Sequence, residues 1–542
     1  MIRSVKRFRP RGISLVGSVV LALVVSTFTN PSRAAEVDQW TVYITESWFA
    51  YPSHIGLRTP EPGDPSWGNT FNCPKWGEDE CAAIKDPGTT YFGTVILPPC
   101  TEPKATYCIE TVEFRNPGGE WEQGELIRST FGPTHEAVAE IGYPYGGTVS
   151  LWRSKNVKHA GGTSEYAVQA ALEIREKEVS KGGVEFLTVD MRIQPYTSVA
   201  GEFSEQRISS TSYVDATTGR KRNTVGFSSS DVWQDRLGRA TQARWIEGSG
   251  ARLTVRIPDS LTGWLGGRLT DIDFSVSRYA DGINRLTIGG NAVVVQSVEA
   301  KVPSSEIRKI LVNPDLEMKN NQFGFAGYRG SDGALSIPIL EKIRPFTKDK
   351  STGDMSLWVV QTFGSEGQKC LADTSRLMGV VTTNSVAYDK FAPKFTDGKL
   401  KYSVGGVHLD KDGNLVKGNY DLVLRSDAAR CLYGFSNAPI EAVVSVTYGD
   451  KEQNISTTAS GERDGWLFIS AKNFTFSNPT IEVAISQPKT SPSATPTPPA
   501  TASPTTITKP SSKKTITCVK GTAVKKVSGK SPKCPTGFKK RA

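Results

Sequence analysis

From residue 166 to residue 193 the apolar side chains fall at a spacing of two. Tyr166, Val168, Ala170, Leu172 and Ile174 come first, Gly182-Gly183 follow, and Leu187, Val189, Met191 and Ile193 resume the pattern. The Ala, Leu, Glu, Arg and Lys in the first run favour helix on propensity alone. Period two on both sides of a glycine pair outweighs that preference and predicts a hairpin. The same alternation recurs at Leu253, Val255 and Ile257, at Ile272, Phe274 and Val276, at Tyr420, Leu422 and Leu424, and at Ile481, Val483 and Ile485. Leu286-Thr287-Ile288 and Val293-Val294-Val295 flank Gly289-Gly290-Asn291, which reads as a tight turn between two strands. Residues 305–311 read as a short helix.

Many short strands with turn signals between them predict a mainly β protein built of two antiparallel β-sandwich-like modules. The expected division is an N-terminal β-rich region over 35–302, a junction with the short helix over 303–325, and a C-terminal sandwich-like domain over 326–487. From residue 488 to 514 proline, serine and threonine dominate, so this stretch reads as a disordered linker and extended spacer. A basic two-cysteine tail module over 515–542 closes the chain.

Charge divides the chain unequally. The formal net charge is +10, but residues 1–34 carry six basic residues and no acidic one, and residues 509–542 carry eleven and none. Setting both aside leaves the body at −7. The first 34 residues read as a signal peptide. Arg3, Lys6, Arg7, Arg9 and Arg11 precede an apolar run over 13–25, and Ser32-x-Ala34 offers small residues at a cleavage site, so the mature chain is expected to start at Ala35. That run is shorter than the ~20 residues of a comfortable membrane span, so no membrane span is expected after cleavage, and the expected location is extracellular with retention at the cell surface. Eight cysteines in an exported chain read as disulfides. Proximity pairs Cys73 with Cys81, Cys100 with Cys108, Cys370 with Cys431, and Cys518 with Cys534.

Candidate chemistry is sparse. His135-Glu136 starts a zinc-protease helix motif, but Ala139 stands where the second histidine belongs. Asp410, Asp412, Asn414 and Asp421 imitate a calcium loop, yet Leu415 occupies the position that needs glycine for the sharp turn. A polar Asp-Gly turn accounts better for those residues. Ser511 and Lys514 match S-x-x-K inside the spacer, where no pocket can orient a nucleophile. Trp40, Trp48, Trp67, Trp76 and Trp121 put five of eleven tryptophans near the start of the mature chain. Such aromatics supply a small core, the preferred reading, or a flat sugar-stacking platform built on Trp48, Trp67 and Trp76. In the tail, Lys513, Lys514, Lys520, Lys525, Lys526, Lys530, Lys533, Lys539, Lys540 and Arg541 are the candidate anionic-polymer ligands.

The stretches "IPDSLTGWLGGRLTD", "TFGSEGQKCLADTSRLMGVVTTNSVAY" and "YDLVLRSDAARCLYGF", with the closing "ITCVKG" and "KSPKCPTGFKK", resemble uncharacterised exported proteins of high-GC Gram-positive bacteria. The tail is similar to an ending shared by otherwise different exported proteins of such bacteria. The resemblance implies export and a modular tail, and it implies no reaction. The expected function is therefore a secreted or envelope-associated, non-catalytic binding protein without catalytic residues, metal or cofactor. Its tail would dock on an anionic cell-wall or surface polymer and its body on a glycan or protein. An extracellular polysaccharide hydrolase is the alternative. An exported nucleic-acid binder acting through the tail comes third, because the charge sits on an appendage rather than on a folded face.

Overall fold

The computed structural model describes residues 38–46, 52–61, 64–129, 132–198, 208–214, 221–227, 239–240, 243–320, 324–363, 369–373, 375–436, 441–448, 451–454, 458–476, 479–486, 514–520, 523–529 and 532–540. The signal-peptide reading over 1–34 lies outside these residues. So does the linker reading over 488–514, apart from Lys514. The chain forms two compact units, Met1–Pro488 and Lys489–Ala542.

The first unit is mainly β. The expected hairpin is present as Glu165–Glu178 and Phe186–Ser198, with Leu172 opposite Val189, Ala170 opposite Met191 and Val168 opposite Ile193. A ladder extends from both of its edges. On one side Glu165–Glu178 pairs with Thr90–Ile96, then His54–Glu61, then Asp64–Asn72. On the other side Phe186–Ser198 pairs with Val359–Phe363, which pairs with the first half of Gly263–Ala280. The ladder continues through Leu377–Thr383, Gly418–Arg425, Trp466–Phe474 and Thr458–Arg463. Only the step from Gly263–Ala280 to Leu377–Thr383 is parallel.

Two layers pack on this long sheet. Over its first part lie Cys108–Arg115, Gly250–Pro258, the start of Ile283–Pro303 and the second half of Gly263–Ala280. Val112, Leu253, Val255, Ile257, Leu286 and Ile288 face Val168, Leu172, Val189 and Met191, and all are fully buried. Each such aliphatic side chain contributes roughly 1.5–3 kcal/mol by leaving water. Over its last part lie Lys399–Gly405, Pro479–Ser486 and Glu441–Tyr448. There Tyr402, Val404, Ile481 and Val483 meet Tyr420, Leu422, Leu424 and Ile469. Two sandwiches therefore share one continuous sheet, and several strand pairings cross the expected junction at 303–325. Alternation along a strand reveals its buried face but not its neighbour, which is why the shared sheet was invisible in the pattern.

The expected helix is present as Ser304–Ile310, and Ile307 and Ile310 bury against Gln39–Thr45 and the helix Gly333–Thr347. The expected turn at Gly289-Gly290-Asn291 is absent: these residues lie inside the single strand Ile283–Pro303. The glycines answer a packing demand instead. A Cβ on Gly290 would stand 3.0 Å from the Thr270 carbonyl oxygen, and one on Gly289 would stand 3.0 Å from the Arg252 side chain. Trp358 uses the same bare stretch, its indole N–H donating to the carbonyls of Ala251 at 3.0 Å and Gly290 at 3.1 Å.

All four disulfides join the neighbours named above: Cys73–Cys81, Cys100–Cys108, Cys370–Cys431 and Cys518–Cys534. A buried ion pair ties three segments together. Arg268 bonds to Glu46, donates to the carbonyls of Thr383 at 3.0 Å and Ser385 at 2.6 Å, and lies 4.2 Å over the Tyr388 ring. Burial pushes the Glu46 carboxyl pKa up, and Arg268 works against that shift.

Candidate functional site

Two of the strand bulges in the first unit place a residue in left-handed backbone. In Gly263–Ala280, Thr270 lies opposite Asn291 and Asp273 opposite Gly289, which leaves Asp271 and Ile272 facing one residue. In Trp466–Phe474, Lys472 lies opposite Asn419 and Phe474 opposite Gly418, which leaves Asn473 over. Both extra positions take left-handed backbone, with φ +56° at Asp271 and +65° at Asn473. Among the described residues the other non-glycine residues with positive φ are Lys348, Asp349, Asp397 and Asp464, and they sit at a helix end or in turns. A side-chain-bearing residue in this region costs about 1–2 kcal/mol. A bulge inside a strand re-aims its side chain and is enriched beside active sites.

Both bulges open on one cleft of about 330 Å³. Asp271 is its charged centre. Its carboxylate accepts from the Asn291 side-chain amide at 3.1 Å and pairs with the Lys472 ammonium. Asn291 is fixed in turn by Arg115, whose Nε and Nη2 donate to Oδ1 at 2.9 and 2.7 Å. Opposite them Asn384 and Asn419 hold each other: each side-chain oxygen accepts the other's backbone N–H, at 2.9 and 3.2 Å. Trp245 forms an apolar wall, 6 % exposed and stacked 4.9 Å from Tyr166, while Ile246 stands 41 % exposed beside it. Asn473 is exposed, and among the described residues no hydrogen bond engages its amide.

Beneath the cleft floor lies a second carboxylate. Asp421 sits two residues inward of Asn419 and directly across from Thr382 and Ser470. It is 5 % exposed, and burial, with Asp271 adding repulsion, pushes its pKa up to about 6. The hydroxyls of Thr270 and Ser470 face it, but neither they nor Asp421 Oδ2 complete a hydrogen bond of normal geometry. Among the described residues no ion pair closes on Asp421: Lys472 only tempers its shift and bonds to Asp271.

The residues singled out from sequence fall elsewhere. Trp48 and the side chain of Trp67 lie outside the described residues. Trp76 is half-buried, edge-on to Tyr91 at 6.1 Å, and its indole N–H donates to Glu140 at 3.2 Å. Trp40 is buried, and Trp121 is covered by the guanidinium groups of Arg115 at 4.3 Å and Arg252 at 4.9 Å. His135 is a core histidine, edge-on to Tyr143 at 5.0 Å, and burial lowers its pKa. Asp410 accepts the backbone N–H groups of Asp412 and Asn414, both at 2.8 Å, as a turn residue does.

The second unit is a small sheet of Lys514–Lys520, Ala523–Gly529 and Lys539–Lys540, with Cys518 fully buried. Lys520, Lys525, Lys526, Lys533, Lys539 and Lys540 are exposed. Lys513, Lys530, Arg541 and the side chain of Lys514 lie outside the described residues. Among the described residues no group of histidine, cysteine and acidic side chains could hold a metal ion, and no helix is long and apolar enough to cross a membrane. The chain matches no family model, no curated protein and no solved structure.

Proposed function

We propose that this is an exported binding protein, held at the cell envelope through its basic tail on an anionic wall or surface polymer, whose body takes a carbohydrate in the Asp271–Asn473 cleft. The observation that carries the carbohydrate reading is the pair of bulges that spend left-handed backbone on aiming an acid and an amide into one recess. Carboxylate and amide groups supply the paired donors and acceptors that adjacent sugar hydroxyls need. The exposed Ile246 side chain, backed by buried Trp245, offers apolar surface to the ring carbons. The volume suits a short stretch of glycan. Pairing of all eight cysteines supports an oxidising location outside the cytoplasm.

Burial of Asp421 favours binding over hydrolysis. A general acid must reach the leaving group, whereas Asp421 is 5 % exposed beneath the floor. Both oxygens of Asp271 are engaged, by Lys472 and Asn291. The test is a glycan array followed by calorimetry on the best binder, with Asn473→Gly as the key variant. Glycine keeps the left-handed backbone and deletes only the amide. Affinity is expected to fall by about tenfold, in line with one lost hydrogen bond, while Tm holds or rises. Unchanged affinity for every bound glycan sinks the cleft as the site. For the tail, salt is expected to release the full chain from isolated walls, and a chain lacking residues 488–542 is expected not to be retained.

A further inference from the structure

The tail sheet distributes its lysines over two faces. Its central strand Lys514–Lys520 places Cys518 opposite Lys525 on one neighbour and opposite Lys540 on the other. Residues directly opposed across a ladder share a face, so Lys525 and Lys540 flank the disulfide on one side. The next residue along each outer strand points the other way. Lys526, opposite Thr517, and Lys539, opposite Val519, therefore stand on the reverse side. All four are exposed, as is Lys520, which stands two residues from Cys518 on the central strand and so shares its face. Residues 509–542 contain no acidic side chain to neutralise them.

Lys525 and Lys540 are two strand spacings apart, about 10 Å, which lets successive anionic groups of one linear polymer engage both. A chain lying on that face leaves Lys526 and Lys539 unsatisfied behind it. Wrapping the same chain around so thin a sheet would force its own charges together within about a Debye length, ~10 Å at 0.1 M salt. A second chain meets no such cost. Resting on the reading that the tail docks on anionic polymer, we propose that each tail bridges two linear polyanion chains, one on each face, so that the protein cross-links the polymer it binds.

The experiment uses the full chain with long-chain polyphosphate at low salt, measuring binding by calorimetry and cross-linking by light scattering. The variants are Lys520→Gln/Lys525→Gln/Lys540→Gln and Lys526→Gln/Lys539→Gln, each removing the exposed lysines that the ladder places on one face, and Lys520→Gln/Lys525→Gln/Lys526→Gln, which removes at least as much charge but leaves Lys540 on one side and Lys539 on the other. Wild type is expected to raise scattering to a maximum at intermediate ratios and to lose it in polymer excess. Each one-face variant is expected to bind with a salt slope lower by about 1.5–2.5, and to scatter about tenfold less, while the split variant still cross-links. Binding by wild type without scattering overturns the bridge and leaves the docking reading standing. One-face variants that scatter like the split variant also overturn the bridge. Absence of wild-type binding at low salt overturns docking and bridging together.

Discussion

Asp421 is a buried carboxylate that no ion pair closes on among the described residues. Burial raises its folded-state pKa to about 6, from an ordinary value of 3.8. A raised acid is protonated more readily in the fold than in the unfolded chain. Its contribution is therefore neutral below about pH 4 and becomes a growing penalty as pH rises to about 6. The full penalty is on the order of 3 kcal/mol. Asp421→Asn is expected to stabilise the chain by up to about that amount at pH 7.5, with the gain closing toward pH 4. His54 acts in the opposite sense, since burial lowers its pKa to about 4 and acidification destabilises the fold through it. The wild-type profile alone therefore mixes signs, and the difference between wild type and variant across pH isolates Asp421. A difference that does not change with pH would mean that the carboxylate is ionised in a solvated site.

At the scale of elements the informative case is the strand Ile283–Pro303. Glycine is a poor strand former and valine a good one, so propensity predicts that Gly290→Val stabilises it. Packing predicts the reverse, because even a Cβ there comes to 3.0 Å from the Thr270 carbonyl oxygen and 3.2 Å from Leu269. Overpacking of this kind costs roughly 1–3 kcal/mol and exceeds the propensity gain. A lower Tm is expected, with weakened protection of the Trp358 indole N–H, whose acceptors are Ala251 and Gly290. A raised Tm would show that the strand can shift away from Thr270. The same element explains a misreading. Two glycines and an asparagine between apolar triplets look like a turn, but close approach of a neighbouring strand asks for the same residues.

For the whole first unit, the long sheet predicts joint unfolding. Gly263–Ala280 pairs with Val359–Phe363 and Leu377–Thr383, so neither side of the 303–325 junction has a complete sheet alone. Calorimetry is expected to show no separate transition for residues 326–487, and a chain ending at residue 325 is expected to stay unfolded. Two resolved transitions would overturn this. Much of the protein was legible in the one-dimensional pattern. Period two located the hairpin and the buried faces, cysteine proximity located the disulfides, and acid-free composition set the tail apart. Those features are local, and local spacing carries them. The cleft was not legible. Asp271 and Lys472 are separated by 201 residues, and neither belongs to a motif. Their bulges exist only relative to partner strands, because an extra residue is defined by the register of the chain opposite it. The sequence by itself determined which residues face inward; only the tertiary structure, by choosing strand partners, decided that an acid and an amide from distant strands share one recess.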